Sequence, residues 1–160
     1  MTDTLILGLG NPLRGDDGVG PAVIDWLHEH DLPPGVSVWE GSVAGPDLTL
    51  TLAEYRRVIV VDAADVGRSP GAWMRFRPES VRLKNGPSAV SLHTSGLADA
   101  LALGTALGML PDEIVIYGIQ PARLDWHPGL SAEAQAAVPA VGRAVLREIG
   151  GQDGKDSDHR

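Results

Sequence analysis

The chain has 160 residues and a formal net charge of −8, with 43% apolar and 21% charged residues. That length suits one domain around a single core, and the acidic balance excludes the clustered Lys and Arg surface that nucleic-acid binding needs. There is no cysteine, which excludes disulfides, thiolate metal ligands and a cysteine nucleophile.

The first element, Thr4–Leu9, is a short apolar run ending at glycine and reads as a buried strand. A glycine-rich loop follows, Gly8-Leu9-Gly10-Asn11-Pro12-Leu13-Arg14-Gly15-Asp16-Asp17-Gly18-Val19-Gly20. Its adjacent carboxylates repel each other and need water, hydrogen bonds or a cation. Val19, Ala22, Val23, Trp26, Leu27 and His30 then repeat at helical spacing, with Pro21 near the helix start. Val36–Trp39 reads as a second strand, Pro46–Tyr55 as a helix, and the β-branched run Arg57–Asp62 as the clearest strand of all. Ala72–Phe76, flanked by Pro70 and Pro78, reads as an edge strand.

Ser95–Leu107 is the next predicted helix, with Gly108 as its stop, and Glu113–Gly118 the next buried strand. Ser131 is a good N-cap for a last helix to about Ile149, where Pro139 predicts a kink or a late start. Residues 1–149 are expected to form one domain. The polar Gly/Asp-rich segment 150–160 is expected to be a disordered tail. No internal repeat is present, no basic region followed by an apolar stretch opens the chain, and no apolar run is long enough for a membrane span. These features predict a cytoplasmic protein with no nucleic-acid or membrane partner, and nothing demands more than a monomer.

Strands alternating with helices predict a three-layer α/β/α sandwich with a twisted, mostly parallel sheet of about five strands. Ligands of such sheets bind outside the carboxyl ends of the strands. Asp16 and Asp17 follow the first strand, Asp62 ends the Arg57–Asp62 strand, and His93 lies in Ser91-Leu92-His93-Thr94-Ser95 before a helix. Two carboxylates and an imidazole from separate loops can hold a divalent metal with open positions, or position a water for hydrolysis. The plainer alternatives are a solvated loop acid, a helix N-terminal charge and a turn cap. His28 and His30 are explained by a helix C-terminus, His127 lies in a Pro/Gly loop, and His159 lies in the tail. A dinucleotide fingerprint fails because Leu13 stands where glycine is needed and Pro12 blocks the helix start, and no P-loop lysine follows.

The segments G-L-G-N-P-L-R-G-D-D-G-V-G, V-I-V-V-D-A-A-D-V-G, S-L-H-T-S-G-L and Y-G-I-Q-P, in that order, resemble the hydrogenase maturation proteases over about Leu5 to Ile149. The resemblance implies an endopeptidase that removes a C-terminal extension from the nickel-loaded precursor of a nickel-iron hydrogenase large subunit. It implies a metal-contacting and catalytic set of Asp17, Asp62 and His93, with Asp16 as the fallback if the loop register differs. The family often has Glu at the first position, and Asp17 is one methylene shorter.

The resemblance also implies that the nickel arrives with the substrate. It would serve as a recognition element, and either it or one of the aspartates would activate the carbonyl or the water. With no thiolate available, no tightly held intrinsic metal is expected. Tyr117–Pro121 and the loop Asp125–Leu130 are expected either to shape a peptide groove or merely to connect strand to helix. A non-catalytic metallocentre-binding chaperone is the alternative from another class. Peptidyl-tRNA hydrolases share only Gly8–Pro12. Their catalytic-histidine segment is replaced here by Arg14-Gly15-Asp16-Asp17-Gly18.

Overall fold

The computed structural model describes residues 3–41, 46–80, 91–92 and 96–153. Among these, the strands are β1 (Thr4–Leu9), β2 (Val36–Gly41), β3 (Arg57–Asp65), β4 (Trp73–Phe76), β5 (Ser91–Leu92) and β6 (Glu113–Ile119). The helices are α1 (Val19–Leu27), α2 (Pro46–Ala53), α3 (Leu97–Leu107) and α4 (Ala132–Asp153). The strands form one sheet in the order β2–β1–β3–β6–β4, with β5 added on β3. Pairs β1–β2, β1–β3 and β3–β6 are parallel, while β4–β6 and β3–β5 are antiparallel.

The period-two alternation of each central strand builds the three layers. Ile6, Ile59, Val61, Ala63, Val115, Tyr117 and Ile119 pack against α1 and α4. Leu5, Leu7, Leu9, Val58, Val60, Ile114 and Ile116 pack on the other face, against α2 and α3. Both faces are covered, so β1, β3 and β6 read as continuous apolar runs. Leu5, Ile6, Leu7 and Ile59 are completely buried, and each such side chain contributes roughly 1.5–3 kcal/mol of burial free energy. The edge strands are the half-exposed β2 and the short antiparallel β4.

Several sequence expectations shift. β3 does not end at Asp62 but continues to Asp65, because Ala64 and Asp65 gain a new partner in β5. The two-residue β5 was expected as loop. α3 starts at Leu97, after Gly96 in a left-handed conformation at φ 78°, and stops at Gly108, also left-handed. Ser131 caps α4, its Oγ accepting the Ala134 N–H at 3.1 Å. α4 begins at Ala132, so there is no late start. Pro139 lies inside the helix and forfeits one i→i−4 bond. The helix also runs past Ile149 to Asp153; the remaining expected tail, 154–160, lies outside the described residues. No helix among the described residues is long and apolar enough to cross a membrane.

Candidate functional site

The strand order reverses direction between β1 and β3: α1 leads outward to β2 on one side, and the chain then returns across to β3. Such a reversal opens a crevice at the carboxyl ends of the two strands. The loop after β1 fills this position. It tightens into a 3-10 turn, Gly15–Gly18, where the Asp17 N–H reaches the Arg14 carbonyl at 3.0 Å. The turn packs against β3. Two glycines make the approach possible. Gly10 has φ 133°, and a Cβ there would collide with the Asp17 carbonyl oxygen. A Cβ on Gly20 would lie 2.7 Å from the Val61 carbonyl oxygen, so the first turn of α1 rides directly on the end of β3.

Three carboxylates are buried at this edge: Asp16 at 0%, Asp17 at 3% and Asp62 at 1% exposure. Asp62 lies one residue beyond the last β1–β3 pair, Gly8 opposite Val61, while β6 still flanks it through Gly118. It therefore sits inside β3 yet past the end of β1, at the crevice. The Oδ2 of Asp17 accepts the Asn11 N–H at 2.7 Å, and the Asn11 side chain in turn accepts the Leu13 N–H at 2.9 Å. Asn11 is thus a positioning residue that motif reading passed over. Its signal was an Asn two residues before an unusual backbone turn.

Asp16 is engaged differently. Its Oδ2 accepts the N–H groups of Ala122 and Arg123 at 2.8 and 3.3 Å and the Ser131 hydroxyl at 2.7 Å. Its Oδ1 accepts the Ser131 N–H at 2.7 Å. Burial pushes this carboxyl up, but the bonds from Ser131, Ala122 and Arg123 together outweigh it and hold the group below the usual carboxylate range. Its backbone N–H also donates to the Arg123 carbonyl at 2.9 Å, and that of Gly15 to the His127 carbonyl at 2.8 Å. Asp16 thus rivets the loop after β1 to the loop after β6 and leaves Asp17 as the second acid of the turn.

Gln120, from the Y-G-I-Q-P segment, does comparable work on the other side. Its Oε1 accepts the Val66 N–H at 2.8 Å, and its backbone bonds to Gly71 and Ala72, tying the exit of β3 to the end of β6. A cleft of about 260 Å³, lined by Gly10, Asn11, Pro12, Pro21, Glu40 and Gly41, runs beside the Asp17 loop. A larger cavity of about 590 Å³ lies elsewhere, between α3 and the start of β6, and none of the expected site residues lines it.

His93 lies outside the described residues; Ser91 and Leu92, just before it in sequence, pair with Asp65 and Ala64 of β3. Among the described residues, no group of three or more His, Asp or Glu side chains is placed to hold a metal. His30 stacks on Trp26 at 3.7 Å and contacts its carbonyl through Nδ1, and His127 is exposed.

A family model described as hydrogenase maturation protease matches residues 21–148. The chain is 32% identical over 151 residues to the hydrogenase 2 maturation protease of Escherichia coli K12, covering 91% of this chain and 92% of that one. It is 35% identical over 152 residues to the hydrogenase expression/formation protein HupM of Azotobacter chroococcum, covering 91% and 72%. Among solved structures, the hydrogenase maturating endopeptidase HybD from E. coli superposes with a TM-score of 0.78 at 26% identity, with 94% of both chains covered. The solution structure of an endopeptidase from E. coli gives 0.79 at 30% identity, covering 93% of this chain and 94% of the other.

Proposed function

The chain belongs to the hydrogenase maturation protease family, and from that premise we propose that it removes the C-terminal extension from the nickel-loaded precursor of a nickel-iron hydrogenase large subunit. The observation that carries this reading is the pair of buried carboxylates, Asp17 and Asp62. Separate segments bring them to the crevice between the ends of β1 and β3. Carboxylate oxygens and an imidazole nitrogen suit a borderline divalent metal such as nickel. In this reading Asp17, Asp62 and His93 engage the nickel centre that the substrate carries, and the nickel serves as the recognition element. One of the two carboxylates takes a proton from water as the water oxygen attacks the scissile carbonyl carbon. The C–N bond then breaks and the departing amine takes up the proton. The large subunit is left with a new C-terminal carboxylate, and the tail is released. The protein acts in the cytoplasm as a monomer and needs no tightly held metal of its own.

The test is a mass measurement on the large subunit after incubation of its precursor with this protein. The nickel-loaded precursor is expected to lose the mass of its extension, and the nickel-free precursor to stay intact. Asp17→Asn and Asp62→Asn are each expected to slow cleavage by roughly 10²–10⁴, with thermal melting close to the parent. Association without any loss of mass would replace the protease reading with that of a binding chaperone. Shortening that survives Asp17→Asn, Asp62→Asn and His93→Ala alike would remove these residues from the site.

A further inference from the structure

Five large apolar side chains are exposed among the described residues: Leu13, Trp39, Leu50, Leu107 and Trp126. Two of them, Leu13 at 58% and Trp126 at 72%, stand on the two loops that Asp16 rivets together. Arg14, next to Leu13 in sequence, has its guanidinium 5.2 Å from the centre of the Trp126 ring. A cation over an indole face is held by the ring quadrupole, which fixes where its donors point. The Arg14 Nε is buried and meets no hydrogen-bond acceptor among the described residues, and Arg14 enters no ion pair there. The neighbouring Arg123, by contrast, is satisfied by Asp125 at 3.3 Å and the Gly129 carbonyl at 3.1 Å.

An unspent guanidinium donor on a chain of net charge −8, flanked by two apolar side chains and three residues before Asp17, is an unusual grouping. Arg14 is only part-buried and its side chain makes no hydrogen bond or ion pair among the described residues, so the outer end of its guanidinium can donate to an arriving oxygen. Trp and Arg are also the side chains that most often anchor a protein interface.

We infer that Leu13, Arg14 and Trp126 form a docking rim for an extended segment of the precursor, one that presents an apolar side chain beside an acceptor oxygen. Trp126 and Leu13 receive the apolar side chain, and Arg14 donates to the oxygen. The rim selects the polypeptide, separately from any contact to the metal. The identity of the partner rests on the protease reading above; the chemistry of the rim does not.

The experiment measures both binding of the full-length protein to the nickel-loaded precursor and the KM and kcat of tail removal. Arg14→Met and Trp126→Ala are each expected to weaken binding and raise KM by roughly tenfold, with kcat changed by less than about twofold. Trp126→Phe, which keeps a smaller ring under the guanidinium, is expected to fall between Trp126→Ala and the parent, and Leu107→Ser, at an exposed apolar residue of α3, to behave as the parent. If the Arg14→Met defect disappears at about 0.5 M salt, the acceptor is a carboxylate; if it persists, it is a backbone carbonyl.

Arg14→Met and Trp126→Ala proteins that fold, by circular dichroism, and bind like the parent would overturn the rim. Tail removal by the parent combined with that result leaves the protease reading standing alone. Variant-sensitive binding with no tail removal keeps the rim and overturns the protease reading.

Discussion

Asp16 and Glu148 are two carboxylates withdrawn from water at opposite ends of the sheet, and they are kept ionised by different means. Asp16, at the carboxyl edge, is held by three backbone N–H groups and one hydroxyl, all neutral. Glu148, near the end of α4, is held by charge. Arg75 donates to both its oxygens at 2.8 Å, Arg57 approaches at 3.7 Å, and the Tyr117 hydroxyl bonds to it. The Arg75 bonds lead in lowering its pKa, burial works against them, and the Tyr117 bond adds to the lowering. Arg57 also reaches Glu113 at 3.7 Å, so that end of the molecule forms a closed network of opposite charges. Neutral dipoles fix the Asp16 carboxylate with no cation bonded to it, whereas in the Glu148 network two arginines and two glutamates offset one another.

Removing each carboxylate tests the contrast. Asp16→Ala leaves three part-buried N–H groups and a hydroxyl without their acceptor and is expected to cost roughly 2–3 kcal/mol, read as a fall in the urea midpoint. Glu148→Gln is expected to cost less, about 1–2 kcal/mol. An amide still accepts from one guanidinium, and Arg75 is 39% exposed, so water screens its share.

The pH dependence separates the two groups further. Both carboxyls have lowered pKa values in the folded chain, so each contributes stability that is present above the unfolded value of about 4 and lost as pH falls through the folded one. Acid is therefore expected to destabilise the parent below about pH 4, and Asp16→Asn to flatten that limb. At the other end, burial first, then the bond to Glu148, raises the Tyr117 pKa. Its contribution is complete below the unfolded value of about 10 and fades as pH rises further. Tyr117→Phe is expected to flatten the alkaline limb only.

The smallest effect is expected from Arg123→Ala, within about 0.5 kcal/mol. This residue reaches Asp16 through its backbone N–H, while its guanidinium pairs with the exposed Asp125. A loss as large as that of Asp16→Ala would mean that the Arg123 charge, not the amides, holds Asp16.

Most of the architecture was legible because burial on both faces of β1, β3 and β6 leaves unbroken apolar runs, and because Gly108 and Ser131 mark helix ends by their backbone chemistry. The placement of Asp17 and Asp62 at one sheet edge followed from the same runs. The position of Asp62 within its strand did not. A strand ends where its partners end, and β5 is a two-residue partner with no apolar pattern of its own. Nor does the Asp16-Asp17 pair announce which acid is structural. The donors that claim Asp16 lie 106 to 115 residues away, and no local pattern encodes them. Arg14 and Trp126 left no motif either, because their meeting depends on that same long-range rivet.

The sheet order bears on when the protein becomes able to act. β1 and β3 pair in parallel across an intervening strand and two helices, a non-local union of the kind that forms slowly during folding. Asp17 and Asp62 stay apart until that pairing is complete, and Asp16 meets its donors only after β6 and α4 have arrived. A nascent or half-folded chain therefore has no assembled Asp17–Asp62 edge, and under the proposed function cleavage would begin only with the finished fold.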